Sequence, residues 1–95
     1  MTHPALEKAV VIPDEVIFRE LDGEAVVLNL DTGIYFGLDE VGTRIWQLLV
    51  EHRTLGPVWQ ALTDEFDTTP ERLQQDLLAF VEELRGKGLI TVGQP

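Results

Sequence analysis

The sequence predicts an α+β domain in which a small three-stranded antiparallel sheet is followed by three helices. Turn chemistry at Asp22-Gly23, and again at Asp31-Thr32-Gly33, cuts a β-branched and apolar stretch into three short runs. Beyond Asp39 the apolar residues change to helical spacing as far as about Arg85. A chain of 95 residues makes one domain, which buries only about 60 to 65% of the surface its unfolded form exposes.

Residues 1 to 13 mix charge, small apolar residues and two prolines, which reads as a loosely attached arm before a folded unit over 14 to 92. Val16 to Leu21 and Glu24 to Leu30 are antiparallel strands joined at Asp22-Gly23. Alternation puts Val26, Leu28 and Leu30 on one face and Asn29 on the other, the pattern of a sheet with one covered side and one wet side. Gly33 can take a positive φ in the second turn, and Ile34 to Leu38 form the third strand.

Asp39 is a helix cap. Val41, Ile45, Leu48 and Leu49 then fall at i, i+4, i+7 and i+8 to give a core-facing stripe through about His52, which Trp46 broadens. A short second helix starts near Leu55 to Pro57 with Thr54 as candidate cap, and presents Val58, Leu62 and Phe66 with Trp59 adjacent. Thr68 and Glu71 have capping-box spacing, and Pro70 sits in the first turn of a third, longest helix. Leu73, Leu77, Phe80, Val81 and Leu84 share one arc of it, and Gly86 and Gly88 are its stops. Leu89 to Val92 is either a short closing strand or an extended tail.

Strands followed by helices give a winged helix-turn-helix in outline. A DNA reader needs Lys and Arg on its recognition helix. Here the third helix offers mainly Arg72 and Arg85 against Glu71, Asp76, Glu82 and Glu83. The whole chain carries a net charge of −10, which repels phosphate backbones and anionic membranes and attracts basic peptides or basic protein faces. Neither nucleic acid nor a membrane is an expected partner. The apolar stretch Ala9 to Ile12 is far too short for a signal peptide or a membrane span, so a cytoplasmic protein is expected.

The composition also bounds the chemistry. With no Cys and no Ser, disulfides, thiolate metal sites and serine or cysteine nucleophiles are excluded, as is a serine-linked carrier arm. Asp64, Glu65, Glu71, Glu82 and Glu83 lie on helix faces opposite the apolar stripes, where solvated charge belongs. His3 and His52 are too far apart in the chain to give metal-ligand spacing, and Gly33, Gly37 and Gly42 are too widely spaced to cradle a phosphate. The reading contains no catalytic residue, no metal and no cofactor.

A binding reading rests on the third strand. If it is the sheet edge, the backbone of Ile34, Tyr35, Phe36, Gly37 and Leu38 can pair with an extended peptide while the third helix forms a second wall. Gly37 either lets another backbone approach or merely eases the corner into the helix. Tyr35 and Phe36 point to opposite faces, and periodicity leaves open which one faces the groove. On the helix, Leu73, Leu77 and Leu84 read first as core residues, with Phe80 and Val81 near the margins of the apolar arc. Asp76 lies beside the arc, where it can accept hydrogen bonds from a peptide backbone or a basic side chain, and Arg72 is one turn earlier as its potential partner.

At these residues the chain resembles the PqqD-like family, the peptide-recognition modules of pathways that make and modify ribosomal peptides (RiPP recognition elements). The resemblance runs from about Pro13 to Val92, through VVLNLDTGIYFGLDEVGTRIWQLL, the TPERLQQDLLAFVEEL helix and its GLI ending. It implies that 14 to 92 is a leader-peptide recognition domain with no catalytic residues. The leader of a precursor peptide would add as a further strand against the third strand and over the third helix. The chain looks most like the separate recognition proteins of lasso-peptide pathways, which implies a leader peptidase and a macrocyclase as partners. Similar modules serve as chaperones in quinone-cofactor and other radical-enzyme pathways. Two readings from other classes remain beside it: a winged-helix regulatory protein, and an accessory subunit whose apolar surface is an obligate interface.

Overall fold

The computed structural model describes residues 4–22 and 24–93. Its elements in chain order are a 3-10 turn Pro4–Glu7, β1 Ala9–Val11, β2 Val16–Leu21, β3 Glu24–Asn29, β4 Tyr35–Leu38, α1 Glu40–His52, α2 Leu55–Glu65, α3 Pro70–Gly86 and β5 Thr91–Gly93. Strands β2, β3 and β4 form the expected antiparallel meander, in that order, and the fold class is α+β as predicted. β1 and β5 make a separate two-stranded ladder.

Leu21 pairs with Glu24 across a two-residue hairpin loop, and Asp22 takes a φ of 53°, the left-handed conformation a primed turn requires. The other half of that turn signal, Gly23, lies outside the described residues. Gly33 has the positive φ expected of it, 76°.

The covered face of β3 is the opposite of the one its apolar residues suggest. Ala25, Val27 and Asn29 are buried, Val26 and Leu28 are half-buried on the outer side, and Leu30 is 59% exposed beyond the strand end. Asn29 is tolerated in the core because both polar atoms of its amide are hydrogen-bonded. Its Oδ1 accepts from the backbone N–H of Asp31 (2.9 Å) and Thr32 (3.1 Å), and its Nδ2 donates to the carbonyl of Gly88 (3.0 Å). Asn29 therefore ties the β3–β4 turn to the end of α3.

The amino-terminal segment also departs from the sequence reading. Where a loose arm was expected, Leu6 and Val10 sit in the core at 1% and 2% exposure. The Val10 N–H donates to the carbonyl of Arg53 (2.6 Å) and the Leu55 N–H to that of Lys8 (3.2 Å), so the segment straps the α1–α2 junction. β1 then pairs with β5, Val10 opposite Val92, which makes the chain end a closing strand. Both short strands gain backbone partners that neither finds locally.

The helices hold the groove side in place. The Asp39 Oδ1 accepts from the Gly42 N–H at 2.7 Å, the predicted cap of α1. Thr54 precedes α2 without a side-chain cap bond. The cap of α3 is Thr69 rather than Thr68: its hydroxyl accepts from the Arg72 N–H at 3.3 Å, because Pro70 occupies the first helical position and makes the residue before it the cap. The Trp59 Nε1 donates to the Pro70 carbonyl at 2.8 Å, locking α2 to the start of α3. Gly86 lies within α3, and the helix closes at Gly88, with φ 74° and the Leu89 N–H donating to the Leu84 carbonyl. Trp46 joins the core beside Ile45, Leu48 and Leu49, whereas Val41 is exposed at a rim instead of completing the stripe.

Candidate peptide-binding site

The site starts from backbone arithmetic at β4. Its ladder to β3 pairs Ala25 with Leu38, Val26 with Gly37, Val27 with Phe36 and Leu28 with Tyr35. The Asn29 N–H donates to the Ile34 carbonyl at 2.9 Å. Antiparallel residues alternate between bonding to the neighbouring strand and turning away from it. Ile34, Phe36 and Leu38 are thus engaged with β3, while Tyr35 and Gly37 turn their N–H and C=O groups to the open edge. No other described strand lies along that edge.

The same alternation settles the orientation of the aromatic pair. Phe36 points inward with Leu38, and Tyr35 lies on the outer face, 68% exposed, beside Gly37. The Phe36 ring centroid is 6.0 Å from that of Phe80 on α3, the rings inclined at 50°, a favourable tilted aromatic contact. The Lys87 Nζ stands 5.8 Å from the Phe36 centroid at the far end of the helix, within cation–π range. A recess of about 360 Å³ opens between β4, the start of α1 and α3, walled by Phe36, Leu38, Gly42, Ile45 and Phe80, with Asp76 at its margin.

Two glycines border this recess for different reasons. A Cβ on Gly42 would stand 3.2 Å from the Asp39 Oδ1 and 3.4 Å from the Phe80 ring, so the missing side chain lets the first turn of α1 close on α3. A Cβ on Gly37 would meet nothing within 4 Å, and its φ is outside the left-handed region. Neither space nor backbone conformation within the chain requires a glycine there.

Of the residues the sequence singled out, Phe36, Gly37, Leu38, Asp76 and Phe80 converge on the recess, and Ile34 and Tyr35 continue the edge. Arg72 reaches the site only through Asp76, Nε to Oδ2 at 3.8 Å, a solvent-exposed pair of the kind worth about 0 to 1 kcal/mol. Leu73, Leu77, Val81 and Leu84 are core residues that pin α3 from behind, Val81 included, although the sequence places it at the margin. Gly42, Ile45 and Lys87 were not anticipated. A glycine inside the first turn of a helix costs roughly 0.5 to 1 kcal/mol against alanine and was the available hint of close packing at Gly42.

A larger hollow, about 1010 Å³, opens on the neighbouring side below the β2–β3 hairpin tip, against the start of α1 and the end of α2. Its rim carries Glu20, Glu24, Glu40 and Glu65. Its arginine, Arg44, is committed to Glu65 through a two-pronged ion pair, with both bonds 2.7 Å. That contact, above all its hydrogen bond, holds the Glu65 carboxyl below its ordinary pKa. Among the described strand residues that line it, Glu24, Ala25 and Leu38 bond within the sheet and only Glu20 turns its backbone outward, so it offers a peptide no continuous ladder. No helix among the described residues is long and apolar enough to cross a membrane.

Residues 24–90 match the family described as Coenzyme PQQ synthesis protein D (PqqD). The chain belongs to the PqqD family. Among solved structures, TbiB1 in complex with the TbiA(beta) leader peptide is 39% identical, with a TM-score of 0.77 over 84% of this chain and 93% of that one. Lasso peptide synthetase B1 complexed with the leader peptide is 24% identical, with a TM-score of 0.78 over 87% of this chain and 98% of that one, and bears on the PqqD fold alone. No curated protein matches the chain.

Proposed function

We propose that this PqqD-family chain is a non-catalytic adaptor that captures the leader segment of a ribosomally made precursor peptide. The leader adds as a strand on β4 and is presented to processing enzymes. The observation that carries this reading is the unspent backbone of Tyr35 and Gly37 lying beside an apolar recess. Backbone bonds to that edge supply affinity with little regard to sequence, and the recess of Phe36, Leu38, Ile45 and Phe80 selects an apolar side chain. TbiB1, 39% identical, has been solved with a leader peptide, which supports the same use of the fold here.

Ile34 to Leu38 form one side of the site, and Arg72, Asp76 and Phe80 the other. Leu73, Leu77, Val81 and Leu84 act indirectly by fixing α3 at its distance from β4. The finer placement we favour is lasso-peptide maturation in the cytoplasm, with a leader peptidase and a macrocyclase as enzyme partners; a radical-enzyme pathway is the competing placement. A precursor gene beside genes for a transglutaminase-like protease and an asparagine-synthetase-like cyclase supports the first, and a radical-enzyme gene there supports the second.

Titrating the ¹⁵N-labelled chain with the leader segment of the neighbouring precursor tests the site. The amides of Tyr35 and Gly37 and those of α3 around Phe80 are expected to shift together. Shifts restricted to the outer faces of α1 and α2 would refute it.

A further inference from the structure

The groove beside β4 has unlike charges at its two ends, and we infer that it reads the order of charges along the bound peptide. A basic residue would sit beside Asp76 and an acidic residue, further along, beside Lys87. This deepens the strand addition proposed above and rests on it.

Asp76 and Phe80 fall at i and i+4 on α3, and Lys87, the residue that caps the helix, follows at i+11 in line with the same face. Asp76 borders the recess at the Leu38 and Gly42 end, while Lys87 overlies Phe36 at the other. Asp76 is not locked to Arg72, because an exposed pair at 3.8 Å exchanges partners at small cost. Glu83 shares the face one turn before Lys87. Among the described residues, however, Lys87 forms no ion pair with it or with any other carboxylate, and its ammonium lies over the Phe36 ring instead. Lys87 is therefore available to a carboxylate arriving along the edge.

Length and direction make the inference specific. Eleven helical residues span roughly 16 Å, which about five residues of extended chain cover. A strand that runs antiparallel to β4 enters at Leu38 and leaves at Tyr35, and antiparallel pairing is the slightly more stable arrangement. The basic residue then precedes the acidic one by about four to six positions. Apolar residues between them, on the inward parity, fill the recess.

The test is selection of a random twelve-residue peptide library, displayed on its mRNA, against the full chain and against its Asp76→Lys and Lys87→Glu variants. Both positions are exposed or half-buried, so the variants keep the fold, which circular dichroism checks. Peptides selected by the wild-type chain are expected to carry Lys or Arg four to six positions before Asp or Glu. Reversing either peptide charge should weaken binding roughly threefold, and each variant should lose the preference at its own end only. Selected peptides that shift the Tyr35 and Gly37 amides yet show no charge order, or the opposite order, overturn this inference and leave strand addition standing. Selected peptides that leave those amides unmoved overturn strand addition and the inference together.

Discussion

The three-stranded sheet has two outer edges, β2 and β4, and β2 is the longer, six residues against four. Length alone would make β2 the better template for an incoming strand. Its own chain has already blunted it. The alternation that turns Tyr35 and Gly37 outward on β4 turns Val16, Phe18 and Glu20 outward on β2. The Val16 N–H is taken by the Pro13 carbonyl at 3.0 Å, and the Phe18 carbonyl by the guanidinium of Arg19 at 3.2 Å. Glu20 adds a charge at the hairpin tip. Side chains that cap or charge an edge are the usual defence against unwanted pairing. β4 has none of these devices and has an apolar recess beside it. On the proposed reading, the open edge serves as a site because the chain leaves its backbone unspent there and sets an apolar wall beside it.

A proline placed on each edge breaks or confirms that contrast, and carries the largest expected effect. Tyr35 and Glu20 both turn their N–H outward, so proline at either position removes a donor without breaking the ladder to β3. Tyr35→Pro should weaken leader binding at least about tenfold, the loss of a strand-to-strand bond together with crowding of the approaching backbone. Glu20→Pro should change it by less than about twofold. Isothermal titration of both variants with the leader, after a thermal melt to confirm folding, gives the answer. Equal losses would mean that the two edges are not distinguished by use.

The sequence made the order of elements readable because turns, caps and periodicities are local signals. Asp39, Gly33 and the long apolar arc of α3 all act within a few residues of themselves. What was hidden depends on distant partners. Alternation in β3 shows that Val26 and Leu28 share a face, but which face is inward depends on the amide of Asn29 meeting the carbonyl of Gly88, far along the chain. Leu6 and the short apolar run around Val10 show no helical or strand period, and their places in the core depend on distant partners: β5 for Val10, and the α1–α2 junction that the segment straps for Leu6. The edge position of the third strand and the place of Asp76 beside the apolar arc are legible from local pattern. Lys87 was missed because nothing near it in sequence indicates Phe36.

A smaller effect is expected at Gly37, where the edge contrast can be sharpened by side-chain size. The surroundings of Gly37 leave room for a Cβ, and a β-branched residue suits a strand better than glycine does. Gly37→Val should therefore keep or slightly raise the melting temperature, while weakening leader binding by about threefold to tenfold if a second backbone must come close. A drop in stability would return Gly37 to a role within the chain's own fold. Undiminished affinity in a stable variant would mean that the added strand stands clear of that position.

The smallest effect belongs to the acidic hollow, and it separates that region from the β4 groove. Arg44 holds Glu65 below its ordinary pKa, chiefly through their hydrogen bond. A carboxyl with a depressed folded-state value contributes stability that is present above its unfolded value and is lost as pH falls through the folded one. Glu65→Gln should thus lower the urea midpoint slightly at neutral pH, and the gap from the unsubstituted chain should close as pH falls through the depressed folded-state value. The pair is solvent-exposed, so the change is expected near the limit of detection and should shrink further in high salt. Leader affinity at neutral pH should not move, because Glu65 lies on the far side of α1 from the edge where Tyr35 and Gly37 present their backbone. A substantial loss of affinity in Glu65→Gln would place the peptide across the hollow instead, and the unequal edges of the sheet would no longer explain where it binds.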